Sequence, residues 1–166
     1  MSRGFVKEED QEEPVLIPPR AAIPEGATNY VTPNGLAELK QELKDLEYER
    51  AHVEAENDTE KRRAQSLIDG KINLLSERLQ TARLLDLKDQ PDDEIRFGAK
   101  VKLRNKTSGQ LQEFQIVGVD EADIKKKKIA FVAPIARAIT GKKVGEEVDF
   151  KLGEEIRKLE ILDISY

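Results

Sequence analysis

Leucines recur at alternating intervals of three and four residues in the segment that begins at Leu36. This spacing is typical of a helix that packs through a narrow apolar row, as in a coiled coil. Thr32 is a good N-cap for that helix, and Pro33 suits its first position because the missing N–H would be unpaired there anyway. The apolar row consists of Leu36, Leu39, Leu43 and Leu46, followed by Arg50 and Val53.

A second apolar row of the same spacing extends from Leu67 to Leu85. Between the two rows lies a polar stretch, residues 56–60, whose Asn, Asp and Thr side chains can cap a new helix. The two rows therefore predict an antiparallel α-helical coiled-coil hairpin over residues 30–88, whose first helix rises about 33 Å. One half of an ordinary helical bundle is the alternative that the periodicity leaves open.

The helical pattern ends in residues 89–96, which contain Pro91 and are interpreted as a linker. Short runs rich in β-branched and aromatic residues follow, separated by turn residues, and they predict a small β-rich domain over residues 97–166. The fold class is therefore α+β. The predicted strands are 99–103, 111–117, 129–132, 147–152 and 156–164, and a short helix is predicted at 134–139.

Residues 1–29 combine an acidic stretch at residues 8–13 with Pro14, Pro18, Pro19 and Pro24. Such a composition buries too little apolar surface to offset the entropy lost on ordering. We therefore predict a disordered or extended tail that is dispensable for folding.

The composition excludes several classes of chemistry. The chain has no cysteine and one histidine, His52, so that thiolate zinc sites, disulfides, cysteine nucleophiles and multi-histidine metal centres are excluded, and no cofactor is predicted. There is neither a membrane-length apolar run nor a secretory signal, which predicts a cytoplasmic protein without membrane contact. The net charge is −5, and the lysine run Lys125–Lys128 is interpreted as a solvated hairpin rather than a nucleic-acid contact.

Several short sequences in order along the chain carry a resemblance to a known family. They are YVTP-x-GL at 30–36, FGAKV at 97–101, QIVG at 115–118, DEAD at 120–123, PIARAI at 134–139 and GKKVGEEV at 141–148. Together they resemble the GreA/GreB transcript-cleavage factors, and the similarity covers about residues 30–166. The resemblance implies a coiled-coil hairpin followed by an FKBP-like domain.

The resemblance also implies a partner, RNA polymerase, with the globular domain at the rim of the secondary channel and the hairpin inside it. Contact with nucleic acid is then indirect, and DNA binding is a family association. The resemblance points to an exposed acidic loop and a neighbouring short helix as the polymerase-binding surface. Its residues are Asp120, Glu121, Asp123, Pro134, Ile135, Ala136 and Arg137.

In the family, acidic residues at the hairpin tip help the polymerase to hold a second Mg²⁺ for RNA cleavage. That tip motif is absent from this sequence, and the hairpin is shorter by about fifteen residues, or about 10 Å of rod. The acidic residues that remain at the tip are Glu56, Asp58 and Glu60. We therefore expect a non-enzymatic regulator of elongation with weak or no cleavage stimulation, which meets Mg²⁺ at most through the polymerase.

Three other functions stay open. A shortened hairpin also resembles the regulator of nucleoside diphosphate kinase, which binds polymerase without stimulating cleavage. An FKBP-like fold could carry prolyl isomerase activity, although that needs an aromatic-walled pocket and the domain has few aromatic residues. The hairpin could instead serve as a dimerisation module, and a monomer is favoured because Arg50 interrupts the apolar row.

Overall fold

A computed structural model describes residues 13–166 of the chain, so that the acidic residues 8–12 lie outside the described part. The fold combines helices and sheet, in agreement with the predicted mixed class. None of the helices within residues 13–166 is long and apolar enough to cross a membrane. The helices are α1 Pro33–Ala51, α2 Asp58–Thr81 and α3 Pro134–Ile139, with 3₁₀ turns at Leu87–Asp89 and Ile124–Lys126.

Both long helices begin at polar caps. The Thr32 hydroxyl accepts a hydrogen bond from the N–H of Gly35 (2.9 Å), and Pro33 occupies the first helical position, as predicted. The Asn57 side chain caps α2 by accepting from the N–H of Glu60 (2.9 Å). Residues 52–57 form the connecting loop at the tip. Helix α1 has 19 residues and a rise of about 28 Å, and so ends a few residues before the predicted end.

The two helices pack against each other through the predicted apolar rows. Leu39 and Leu75 are buried at the centre of this contact. Farther towards the tip, Arg50 forms an ion pair with Asp69, so that α1 and α2 run in opposite directions. This ion pair joins the two helices at the position where Arg50 interrupts the apolar row. Supercoiling of the pair stays a prediction. Further residues of the contact are Val31, Leu36, Leu43, Leu46, Leu79 and Ala82.

The C-terminal part is a five-stranded sheet. Its strands are β3 Lys100–Asn105, β4 Leu111–Val117, β5 Lys128–Ala130, β6 Glu147–Leu152 and β7 Glu155–Ser165. They lie in the order β5-β4-β3-β7-β6, in which β4 and β5 are parallel and the other neighbours are antiparallel. All five predicted strands are confirmed to within one or two residues at each end.

Alternate residues of the sheet build the core of this globular part. Leu103 and Ile161 are completely buried, and α3 covers them with Ala136 and Ile139, which are also fully buried. The short helix is therefore part of the core and has a fixed position on the sheet. The predicted helix at 134–139 is confirmed. The FKBP-like character of the domain stays a prediction.

A small parallel sheet, which the sequence analysis did not predict, closes the base of the helix pair. Strand β1 Tyr30–Val31 precedes α1 and pairs with β2 Arg83–Leu84, which follows α2. The backbone of Tyr30 also approaches Gly118 in the globular part. A Cβ atom at Gly118 would lie 2.4 Å from the Tyr30 carbonyl oxygen. The helix pair and the globular part therefore meet backbone to backbone.

The N-terminal segment that precedes β1 is extended, as predicted, since residues 13–24 have no helix or strand. It also makes contacts with the rest of the protein that its composition did not indicate. We call residues 13–21 the strap. Ile17 packs on Gly70 of α2, and Arg20 forms ion pairs with Glu42 and Asp120. That this segment is dispensable for folding stays a prediction.

We expect Gly118→Ala to lower the free energy of unfolding by about 1–3 kcal/mol, because the new methyl group overlaps backbone that cannot rotate away. Chemical denaturation measures the change. Gln112→Ala, at an exposed position of strand β4, which ends just before Gly118, is the control and should change stability by less than about 0.5 kcal/mol. Equal stability of Gly118→Ala and the wild type would contradict the close approach.

Candidate functional site

The carboxylate of Glu121 joins the globular part to the start of α1. One oxygen accepts a hydrogen bond from the Thr32 hydroxyl (2.5 Å), and the other accepts from the Asn34 side chain (2.9 Å) and the Lys128 ammonium (3.0 Å). The Thr32 hydroxyl has one hydrogen, which it donates to Glu121, while its oxygen accepts from Gly35. The residue that caps the helix is thus also the residue that binds the other part of the protein.

Glu121 is ionised in this setting. Burial of the side chain raises its pKa, but hydrogen bonds from Thr32, Asn34 and Lys128, together with the Lys128 charge, lower it by more. The pKa of Glu121 is therefore held below its ordinary value of 4.5. A buried carboxylate with three donors stabilises the structure only while it is charged.

Gly35 leaves room for this carboxylate. A Cβ atom at Gly35 would lie 2.7 Å from the Glu121 Oε1 atom and 3.3 Å from the Thr32 hydroxyl oxygen. Glycine costs stability in the first turn of a helix, and here the close approach of Glu121 accounts for it. The Thr-Pro-x-Gly sequence is therefore explained by one contact.

Asp120 forms a second buried link beside the first. Its two oxygens accept from Arg20 (3.0 Å) and from Arg78 of α2 (3.3 Å), and its side chain is 7% exposed. The expectation of an exposed acidic loop is therefore wrong for Asp120 and Glu121, whose carboxylates point into the protein. Arg20 and Arg78 lie 100 and 42 residues away in sequence, so no local pattern indicated these partners.

Asp123 has a local structural role. Its side chain accepts a hydrogen bond from the N–H of Lys125 (3.0 Å) and caps the 3₁₀ turn Ile124–Lys126. Lys127 closes that turn with φ 58°, and Lys128 pairs with Glu121. Lys125, Lys126 and Lys127 are exposed, as predicted, but strands β4 and β5 on either side of them are parallel, so that the lysine run is a tight turn and not a hairpin. Its last residue, however, serves the buried carboxylate.

Helix α3 presents two of its four predicted contact residues to solvent. Pro134 and Arg137 are exposed and Ile135 is half-buried, whereas Ala136 is fully buried in the core. Direct contact of a partner with Ala136 is therefore excluded in this conformation. Arg137 lies beside a groove of about 490 Å³ that is also lined by Tyr30, Phe97 and Phe131, whose rings pack against one another.

The tip carries exposed carboxylates that form no metal site of their own. Glu56, Asp58 and Glu60 are all exposed, and the last two lie in the first turn of α2. Carboxylates there stabilise a helix by offsetting its dipole. Among residues 13–166 there is no group of three acidic or histidine side chains that could hold a metal ion.

His52 lies at the other end of the tip loop. Its ring stacks on Tyr48 at a centroid distance of 4.0 Å, and its Nδ1 atom is 2.8 Å from the Tyr48 carbonyl oxygen. The side chain of His52 is exposed.

Comparison with known proteins identifies the class to which this fold and site belong. Residues 90–166 match the family model described as "Transcription elongation factor, GreA/GreB, C-term". Transcription elongation factor GreA of Thermodesulfovibrio yellowstonii is 34% identical over 151 residues, covering 82% of this chain and 96% of that protein. GreA of Syntrophus aciditrophicus is 34% identical over 149 residues, covering 81% and 92%. This chain therefore belongs to the GreA/GreB family of transcription elongation factors.

A solved structure in the same class is the GreA/GreB factor from Nitrosomonas europaea. It is 17% identical to this chain, covers 84% of it and 99% of its own length, and has a TM-score of 0.42. At that TM-score the similarity carries no argument about the fold.

We expect Glu121→Gln to lower the free energy of unfolding by about 1–3 kcal/mol at neutral pH, because the amide places an N–H against the donors Asn34 and Lys128. The folded-state pKa of Glu121 lies below the unfolded one, so its contribution is complete above about pH 4.5 and is lost as pH falls through the folded-state value. Urea denaturation of both proteins at several pH values measures this difference.

Glu113→Gln is the control for this pH dependence, since Glu113 is exposed and lies 3.8 Å from Lys102. Its stability should follow that of the wild type at every pH. A Glu121→Gln effect of the same size at pH 7 and pH 3 would mean that the carboxylate is not held in its charged form.

Proposed function

We propose that this protein binds RNA polymerase at the entrance of its secondary channel and regulates elongation by placing the helix pair in that channel. Two curated relatives are named transcription elongation factors, and the family match covers the globular part. The observation that carries the proposal is the geometry of the helix pair: a rod of about 28 Å with one end fixed and an exposed polar tip. Such a rod suits entry into a narrow channel.

The rim contact in this proposal rests on the exposed face of α3. Arg137 is exposed, and its side chain has no hydrogen bond or ion pair within the part of the chain that the structure describes. Arginine beside apolar surface is a common centre of binding energy in protein interfaces. Pro134 and Ile135 would contribute apolar surface next to it. Asp120, Glu121 and Ala136 would act by holding the shape of this surface, and Asp123 by holding the adjoining turn.

We further propose that the protein does not supply carboxylates for RNA cleavage. A two-metal mechanism needs ligands within a few ångströms of both ions, and the tip carboxylates form no metal-holding group. The alignment with the T. yellowstonii relative has 151 positions but uses 82% of this chain, or about 136 residues, which leaves about fifteen positions unfilled. This gap supports the hairpin shortening predicted from the sequence.

A regulator of the same kind as the regulator of nucleoside diphosphate kinase is the second candidate. The short rod favours it, because both would occupy the channel without reaching the catalytic centre. In either case the protein acts as a factor of the polymerase and carries no enzymatic activity of its own. Any Mg²⁺ it meets belongs to the polymerase.

We expect Arg137→Ala to weaken binding to RNA polymerase by about 2 kcal/mol, or roughly thirtyfold in Kd, because a central interface arginine contributes about that much. A titration with the purified polymerase measures the Kd. Arg104→Ala removes an arginine of strand β3 that is also exposed and should leave the Kd unchanged. Equal affinity of Arg137→Ala and the wild type for the polymerase would mean that the interface does not include this face of α3.

We expect the wild-type protein to bind a backtracked elongation complex without accelerating RNA cleavage. The triple variant Glu56→Gln, Asp58→Asn and Glu60→Gln should retain the full effect on transcription, because the proposal gives these carboxylates no role as metal ligands. Amides keep the size of each side chain and remove the charge. A reconstituted complex with its own polymerase, scored for cleavage and for pausing, makes the measurement. Cleavage by the wild type that is lost in the triple variant would overturn this proposal.

A further inference from the structure

The strap lies along α2 over most of the helix. Its prolines, Pro14, Pro18 and Pro19, favour an extended chain that rises about 3.1 Å per residue. Eight such residues span about 25 Å, and the stretch of α2 that they follow rises about 22 Å. The two lengths agree, so the strap follows the helix without slack. Its contacts occur in the same order along both segments: Glu13 with Arg63, Ile17 with Gly70, and Ala21 with Arg78.

Arg20 of the strap binds the helix pair and the globular part at the same time. Its Nη1 atom donates to Glu42 of α1 (2.7 Å), and its Nε atom donates to Asp120 (3.0 Å). The side chain is 21% exposed, so this bridge is largely shielded from solvent. Removal of Arg20 leaves Asp120 paired with Arg78, so that an Arg20 variant does not leave the buried Asp120 carboxylate without a partner.

The Arg20 bridge is well separated from the link at the helix start. Glu42 lies ten residues beyond Thr32, or about 15 Å along the helix axis. Thr32, Tyr30 and Arg78 hold the helix pair at its base. A rod held only at its base can tilt, whereas a further attachment about 15 Å along it fixes its direction. We propose that the strap is a lock that sets the direction in which the helix pair projects from the globular part.

The strap packs against α2 at Gly70. A Cβ atom there would lie 2.2 Å from Cδ1 of Ile17 and 3.2 Å from its Cγ2, so any side chain displaces Ile17. Glycine in the middle of a helix is less stable than alanine. Gly70→Ala should therefore strengthen the helix and release the strap, two effects that a merely structural role would not combine.

The experiment measures the distance between the tip and the globular part in the full chain. Because the sequence has no cysteine, Glu56→Cys and Ser108→Cys provide two unique sites for spin labels. In this parent, the double variant Ile17→Ala and Arg20→Ala, and separately Gly70→Ala, should each roughly double the width of the distance distribution. Leu16→Ala is the matched control, since Leu16 is in the strap but 87% exposed, and its distribution should superimpose on the parent's.

Distributions of both released variants that superimpose on the parent's would overturn the lock. Circular dichroism of each variant checks that the helices form. If the double variant loses helical signal, Gly70→Ala decides the question alone, because alanine favours the helix. No polymerase is needed, so a failure here is distinguishable from a failure of the proposed function.

Discussion

The hydrogen bond between the Thr32 hydroxyl and the Glu121 carboxylate is the contact on which the rest of the structure depends. It starts α1, because the same hydroxyl caps that helix, and it fixes the globular part to the helix start. Three donors hold the carboxylate in its charged form against the cost of burial. Gly35 leaves space for it, and Gly118 lets the two backbones approach. The helix pair is thus anchored through a buried polar contact.

The regular elements were largely predictable because their signals are local. Thr32-Pro33 and Asn57 determine helix starts through contacts within one turn, and the strands follow from runs of β-branched residues. The base of the helix pair was not predictable. Strands β1 and β2 have two residues each, too few for a pattern, and they pair across more than fifty residues of chain. The contacts of the strap were not predictable either, because its partners Glu42, Gly70 and Asp120 lie far away in sequence.

At the candidate site, the sequence indicated which residues are notable but not the contacts that they make. The sequence identified Asp120, Glu121 and Arg137 as notable, but a run of four residues with three carboxylates is ordinarily a solvated loop. Burial of two of them requires Arg20, Arg78, Thr32 and Lys128, which come from four separate parts of the chain. The spacing of an acidic pair in sequence therefore carries little information about its orientation. Arg137, by contrast, lies on a short helix whose inner face is defined by Ala136 and Ile139.

The angle at which the rod is anchored sets the position of its tip. A rod of about 28 Å that turns by about 10° at its base moves its tip by about 5 Å. A tip free to move this far has no defined position. The family resemblance covers residues 30–166, and the strap precedes that region. An additional segment that restrains the rod is therefore a physical means by which a shorter hairpin keeps a defined direction.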